Sequence, residues 1–458
     1  MRYCGMKILL INPWIYDFAA YDEWMKPLGL LYIASFLEKF GYYVFLINCM
    51  DRHHPALKER FGDRLPRDRS FDRGKFFGEV VEKPAPLKGV PRRYRRYGIT
   101  PDIFEEELKK VGRPDLVGVT SGMTYWYPGV FEVIKRVKLL FPKVPVVLGG
   151  IYATLCGDHA RKFSGADYVI RGRGELRILK IADELAGIKR NYSKISVELD
   201  ELPYPAYHLM GKVRSVSMLT SLGCPFKCSY CASRLLQPIL RQRKPEKVIE
   251  EINYYVSRFG VKDIAFYDDA LLINPKKHII PILDMIMKEN FGDVRFHTPN
   301  GLHIRYIDKE LAERLFQANF KTIRLSFETS NPERQKNSCY KASNYDLIRA
   351  VENLKMAGFQ GKNIEVYVMM GLPGQSLEEV LTTIEFVHHL KAKINIVEFS
   401  PIPGTEEWER AVRDYKLDPD EPLLQNNSIF PTREKDMDFE RFWQVKNYAA
   451  QLNSTLER

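Results

Sequence analysis

Three cysteines stand close together in Gly223-Cys224-Pro225-Phe226-Lys227-Cys228-Ser229-Tyr230-Cys231. Thiolates are the ligands of iron–sulfur clusters, and a C-x3-C-x2-C loop can reach three corners of one four-iron four-sulfur cube. No fourth cysteine lies nearby, so the fourth iron would keep an open site for a small chelating ligand. With 7 cysteines in 458 residues, this spacing is expected by chance only about 0.002 times. A structural zinc site or unconnected thiols are the alternatives. Zinc asks for four ligands, usually in two pairs, and no Cys or His pair sits at a matching spacing. Cys4, Cys49, Cys156 and Cys339 stand singly. An odd, scattered set is no disulfide framework, and these four read as small packing residues.

The elements that must hold this loop follow from the hydrophobic pattern. Residues 215–220, 263–267, 294–297, 321–327, 364–370 and 394–399 read as strands. Helices are expected between them, at about 245–258, 275–289, 308–318, 344–357 and 376–390. Six strand–helix units suggest a partial (β/α)6 barrel of the TIM type, spanning 212–404, with its chemistry at the strands' carboxyl ends. The cysteine loop follows the first of these strands. A tail, 405–458, ends in a helix from about 438.

Residues 1–190 alternate in the same way. Strands are expected at 7–11, 43–47, 116–120, 144–148 and 168–170, with helices at 27–40, 127–141, 153–162 and 174–187. That pattern gives a Rossmann-like parallel sheet with helices on both faces. Its strand ends carry Asn12-Pro13-Trp14, Asn48 to Asp51, Thr120-Ser121-Gly122 and Gly149-Gly150, where ligands of such sheets bind. Residues 52–100, rich in Arg, Lys, Pro and Gly, read as an insertion or long loop. Residues 191–211 read as a linker.

The cysteine loop after a first barrel strand resembles the radical S-adenosylmethionine superfamily. The resemblance covers about 212–405. It implies a 4Fe-4S cluster on Cys224, Cys228 and Cys231, whose open iron chelates S-adenosyl-L-methionine. Reductive cleavage then yields a 5′-deoxyadenosyl radical. Matched positions imply further cofactor neighbours: Asp268 and Asp269 after the second strand, Ser326 and Glu328 at the end of the fourth, Met370 and Gly371 after the fifth, and Tyr230 near the adenine. His297 and His303 flank the third strand's end and are candidates to face a substrate. His388-His389 reads as a helix C-terminus.

The first domain resembles the cobalamin-binding domain fused to one subgroup of that superfamily. Trp14, Thr120, Ser121, Gly149 and Gly150 match the turns that line cobalamin there. The cobalt-ligating His of cobalamin mutases, in Asp-x-His-x-x-Gly after the first strand, is missing. Asp51-Arg52-His53 has part of the pattern but follows the second strand. The combination implies a cobalamin-dependent methyltransferase acting on an unactivated carbon. The alternative is a radical enzyme catalysing cyclisation, C–C coupling or rearrangement, with a first domain that holds no cobalamin.

Composition narrows the partners. Net charge is +11, which favours anionic partners without naming one. The run Arg92-Arg93-Tyr94-Arg95-Arg96-Tyr97 reads as a solvated or packing segment. The tail is too short, too acidic and too aromatic for an added RNA-binding domain, so nucleic acid is not expected. A small-molecule or lipid substrate and an electron donor such as flavodoxin or ferredoxin are. No apolar run reaches the ~18 residues of a membrane span. The protein is read as cytoplasmic, with peripheral membrane contact left open.

Overall fold

The computed structural model describes residues 5–338, 341–434 and 437–457. Cys4 and Cys339 lie outside the described residues. The chain divides into two units. The first is Met1–Val213 with Asp420–Leu424, and the second is Arg214–Pro419 with Gln425–Arg458.

The first unit is built on β1 (Lys7–Asn12), β2 (Tyr43–Asn48), β3 (Leu116–Val119), β4 (Val146–Leu148) and β5 (Tyr168–Val169). All pairings are parallel, in the order β5-β4-β3-β1-β2, with Lys7 opposite Tyr43 and Ile8 opposite Leu116. The continuous apolar run Ile8-Leu9-Leu10-Ile11 is fully buried, as a strand covered on both faces requires. Leu9 and Ile11 pack with Val130, Val133, Ile134 and Val137 of one helix, Tyr127–Leu140, and with Ile103, Phe104 and Leu108 of another, Pro101–Val111. That second helix is absent from the sequence expectations. Helix Leu28–Lys39 ends where Gly41, at φ +88°, donates its N–H to Glu38 and turns the chain back into β2.

Residues 52–100 are not an open loop. They form a short helix, Pro55–Phe61, and two small antiparallel sheets, one from Ile15–Asp17, Gly78–Val80 and Arg95–Tyr97 and one from Tyr21–Asp22, Asp68–Arg69 and Arg73–Lys75. The strands are two or three residues long, too short to show a period. The basic run is packing here: Arg96 pairs with Glu79 at 2.5 Å, and Arg92 lies over the Phe18 ring. Cys49 is buried, and burial pushes its thiol up.

The second unit carries β6 (Ser215–Met218), β7 (Asp263–Phe266), β8 (Arg295–His297), β9 (Leu302–His303), β10 (Phe320–Glu328), β11 (Ile364–Met370) and β12 (Lys393–Glu398). Their order is β6-β7-β8-β10-β11-β12, all parallel, with β9 joining β10 beyond the end of β8. Helices Pro245–Phe259, Ile279–Glu289, Lys309–Gln317, Asn344–Met356 and Leu377–His389 connect them. The (β/α)6 arrangement expected from the alternation is present. The C-terminal helix Phe439–Ser454 belongs to this unit and covers its edge strand. Asn453 donates its side-chain amide to the carbonyl of Ile394 and accepts from the Ile394 N–H, both at 2.8 Å. No helix among the described residues is long and apolar enough to cross a membrane.

Candidate functional site

The cysteine loop leaves and re-enters the second unit through a narrow neck. Ser221 and Leu222 pair antiparallel with Gln242 and Arg241. Just inside, Gly223 has φ +80°, and a Cβ there would lie 2.7 Å from the Ile239 carbonyl oxygen and 2.9 Å from that of Gln237. Only glycine combines that conformation with that approach. The neck is tied to the end of β7 by Asp268. Its buried carboxylate accepts from the Thr220 N–H at 3.0 Å, the Thr220 hydroxyl at 2.7 Å and the Ser221 hydroxyl at 2.6 Å.

Within the loop the cysteines are held by turns and by neighbours. The Cys231 N–H donates to the Cys228 carbonyl at 3.0 Å. The Ser233 N–H points at the Cys231 sulfur from 3.5 Å, and the Ser233 hydroxyl lies 3.3 Å from it. Ser229 donates its N–H to Ser338 at 2.9 Å and its hydroxyl to Glu407 at 3.0 Å. His303 Nε2 lies 4.0 Å from Cys224 Sγ, and its ring stacks on Phe226 with centroids 4.7 Å apart.

Burial, with Cys228, Cys231 and Asp269 close by, pushes the Cys224 thiol up to about 11. Thiols crowded in this way keep their protons until a metal displaces them. A single zinc ion, with Zn–S near ~2.3 Å, would draw three sulfurs tightly together. Among the described residues, the donor atoms lying within 4.8 Å of one another belong to His53, Asp68 and Asp72 and not to the cysteines. The His53 group is already served by a cation, with Arg52 at 2.5 Å from Asp68.

The end of β10 closes one side of the loop. A register shift after Ser326 forms a bulge, and Glu328 then adopts φ +69°. Such a conformation in a non-glycine residue costs of the order of 1 kcal/mol and concentrates at functional sites. It brings the Glu328 carboxylate to 3.0 Å from Lys341 Nζ, whose ammonium lies over the Tyr230 ring at 5.6 Å. Burial alone would lower the Lys341 ammonium, but Glu328 beside it carries it well above its ordinary value. Burial, and then Glu328, push the Tyr230 hydroxyl well up. These residues enclose a cavity of about 20 Å³ with Gln335 and Ser338, room for about one water.

In the first unit, Ser121 and the Gly149-Gly150 pair meet at the carboxyl ends of β3 and β4. The Ser121 hydroxyl donates to the Gly149 carbonyl at 2.6 Å, and the Ile151 N–H donates to the Ser121 carbonyl at 2.9 Å. Gly150 has φ +96°, and its absent Cβ would lie 2.3 Å from the Ser121 carbonyl oxygen. A Cβ on Gly149 would meet nothing within 4 Å. The turn therefore presents bare backbone to open space, a surface on which a flat ligand can lie closely. A second cavity, about 210 Å³, opens at the end of β2 between Asn48, Asp51, His54, Glu107 and Lys212.

Residues 218–387 match the Radical SAM superfamily, and residues 88–182 match the B12 binding domain. The chain is a radical S-adenosylmethionine enzyme with a B12-binding domain. Its cofactors are a 4Fe-4S cluster, S-adenosylmethionine and cobalamin. An uncharacterized methyltransferase of Pyrococcus horikoshii is 29% identical over 70% of this radical S-adenosylmethionine chain and 75% of its own length. The cytidylyl-2-hydroxyethylphosphonate methyltransferase of Streptomyces wedmorensis is 23% identical over 92% and 84%. Among solved structures, the radical S-adenosylmethionine methyltransferase TsrM from Kitasatospora setae shares the fold. Its TM-score is 0.64, at 17% identity, over 90% of this chain and 76% of its own. The cobalamin-dependent enzyme OxsB aligns at a TM-score of 0.56 and 12% identity, over 98% and 62%.

The structure of this radical S-adenosylmethionine enzyme sorts the expected site residues. Cys224, Cys228, Cys231 and Tyr230 share one loop. Asp269, exposed at the surface, adjoins the cysteines and Ser233. Asp268, expected to meet the cofactor's ammonium, is instead saturated by Thr220 and Ser221. The Ser326 hydroxyl donates to the Gly301 carbonyl at 3.1 Å. The Met370 side chain is fully buried. Gly371 already uses its N–H on Gln375 and its carbonyl on Thr432, at 2.9 and 2.6 Å. Trp14 is a core residue, 1% exposed, donating its indole N–H to Ile99 at 2.6 Å and packed edge-on against Phe104. Its burial is that of a packing residue, not of a surface for cobalamin. Thr120 is half-buried, with its N–H on the Ile11 carbonyl at 3.1 Å. His297 is locked between Asp263 and Thr322, at 3.0 and 3.1 Å, so its ring nitrogens are not offered to a substrate. Lys341 carries no motif and escapes a sequence reading.

Proposed function

We propose that this enzyme transfers a methyl group to an unactivated carbon of a small-molecule or lipid substrate, using both units. The observation that carries the reading is the pairing of an uncapped three-cysteine loop in the second unit with an open paired-glycine turn in the first. When bound, the cluster and S-adenosylmethionine supply a 5′-deoxyadenosyl radical, and cobalamin supplies a methyl carrier. The chain's own residues do the rest. Cys224, Cys228 and Cys231 hold the cluster, and Gly223 and Asp268 fix the loop's neck. Asp269 offers a carboxylate beside the open corner, able to take an ammonium group. Lys341, kept cationic by Glu328, holds the end of β10 against the Tyr230 ring of the cysteine loop. Ser121, Gly149 and Gly150 give cobalamin a close backbone surface. Tyr230 and Phe226 line the loop with rings that exclude water from reactive intermediates. An electron donor such as flavodoxin or ferredoxin reduces the cluster.

Anaerobically reconstituted protein tests this. The expected result is bound hydroxocobalamin, together with S-adenosylhomocysteine and 5′-deoxyadenosine in equal amounts per methylated product. Deoxyadenosine without S-adenosylhomocysteine would replace methyl transfer by a rearrangement. Absence of any cobalamin affinity would overturn the reading.

A further inference from the structure

His303 is a buried side chain that the chemistry above leaves unused. It ends β9, two residues after Gly301, and is 6% exposed. Its Nε2 is 4.0 Å from Cys224 Sγ, within hydrogen-bonding distance for sulfur. Its ring is fixed by a near-parallel stack on Phe226, at an interplanar angle of 20°. Its other nitrogen, Nδ1, is buried with no hydrogen-bond partner. A buried imidazole that leaves one nitrogen unsatisfied sacrifices stability, and the compensating contact is the one to the Cys224 sulfur. Hydrogen bonds to cluster sulfurs favour the more negative, reduced state, because added electron density spreads onto sulfur.

We propose that His303 is a positioning residue that donates its Nε2–H to the Cys224 sulfur and thereby raises the reduction potential of the cluster. The proposal rests on the placement of the cluster on Cys224, Cys228 and Cys231. A neutral imidazole has one N–H, so donation from Nε2 leaves Nδ1 as an acceptor, and Nδ1 is the nitrogen that is buried without a partner. The stack on Phe226 fixes the ring plane, so that the donor keeps its aim while the cluster changes charge. One charge-assisted hydrogen bond is worth about tenfold in an equilibrium, which for a one-electron couple is about 59 mV.

The test begins with iron and sulfide content. Wild-type protein that holds no cluster would remove the cysteine assignment itself, a failure distinct from that of the His303 proposal. In cluster-bearing protein, potentiometric titration followed by electron paramagnetic resonance is expected to show His303→Phe shifted negative by about 59 mV. Phenylalanine keeps the stack on Phe226 and loses only the donor. His303→Gln, which restores an N–H, is expected to recover most of the shift. An unchanged potential in His303→Phe, or an equal shift in both variants, would overturn the proposal. A readout on the unmutated enzyme covers variants that fail to hold iron. With 15N-labelled histidine, the reduced cluster should show one weak nitrogen coupling. No coupling, or one as strong as that of a directly bound imidazole, counts equally against it.

Discussion

At the residue scale, Lys341 and Glu328 form a buried ion pair in which Glu328 holds the lysine cationic. Side-chain exposures of 12% and 11% leave little water to solvate either partner alone. Removing one partner of such a buried pair costs ~3–5 kcal/mol, most of it from stranding the other charge. Lys341→Met is therefore expected to lower the unfolding free energy by that amount. The double variant Lys341→Met with Glu328→Gln should recover most of it, which a cycle of equilibrium unfolding measurements checks. Asp183 makes a comparable case in the first unit. It is fully buried, and burial opposes its charge, but Arg190, Tyr42 and Tyr192 hydrogen-bond to it and hold its carboxyl below the usual value. A depressed carboxylate contributes stability that is present above its unfolded value and lost as pH falls through the folded one. Asp183→Asn should thus lower the unfolding midpoint at neutral pH. The gap to wild type should close below about pH 4, as thermal melts across acid pH will show.

At the element scale, the cysteine loop depends on one glycine. Gly223→Ala forces a methyl group toward two carbonyl oxygens at a positive φ, and a substitution incompatible with its backbone costs more than the ~1 kcal/mol a compatible one gains. The neck is only a two-residue ladder, so the strain should open the loop and leave the barrel intact. Iron bound per chain is expected to fall well below wild type while the far-ultraviolet circular dichroism stays unchanged; a full iron complement would show that the neck tolerates the methyl. The sequence announced this loop and most of the elements around it. Long, strongly periodic helices such as Pro245–Phe259, and apolar strands such as Lys7–Asn12, bury one stripe or two faces and therefore print a period. The small sheets within 15–97 escape because strands of two or three residues print none. The bulge that turns Glu328 toward Lys341 escapes because it is a register shift between neighbours. Asp268 and Trp14 mislead for a related reason. Motif position places a residue at a strand end, but hydrogen-bond saturation and packing decide whether its side chain is left over for a ligand.

At the scale of the whole molecule, the proposed chemistry is divided between two units, and that division makes their contributions separable. Gly150 is a position where the first unit can be altered locally. Its φ of +96° and the 2.3 Å approach to Ser121 mean that a branched side chain must displace the Ser121 turn. The damage is local, because β3 and β4 are anchored below that point by their own ladder, Val146 opposite Val117 and Leu148 opposite Val119. Gly150→Val should therefore weaken hydroxocobalamin binding at least tenfold, which corresponds to ~1.4 kcal/mol, while iron content matches wild type. The products should divide accordingly. S-adenosylhomocysteine, which reports methylation of cobalamin, should fall with cobalamin affinity. Reductive cleavage to 5′-deoxyadenosine, which needs only the cysteine loop and its cofactor, should continue. If both products fell together in a variant that still held its full complement of iron, cobalamin would have to act in the cleavage step itself, and the assignment of one partial reaction to each unit would be abandoned.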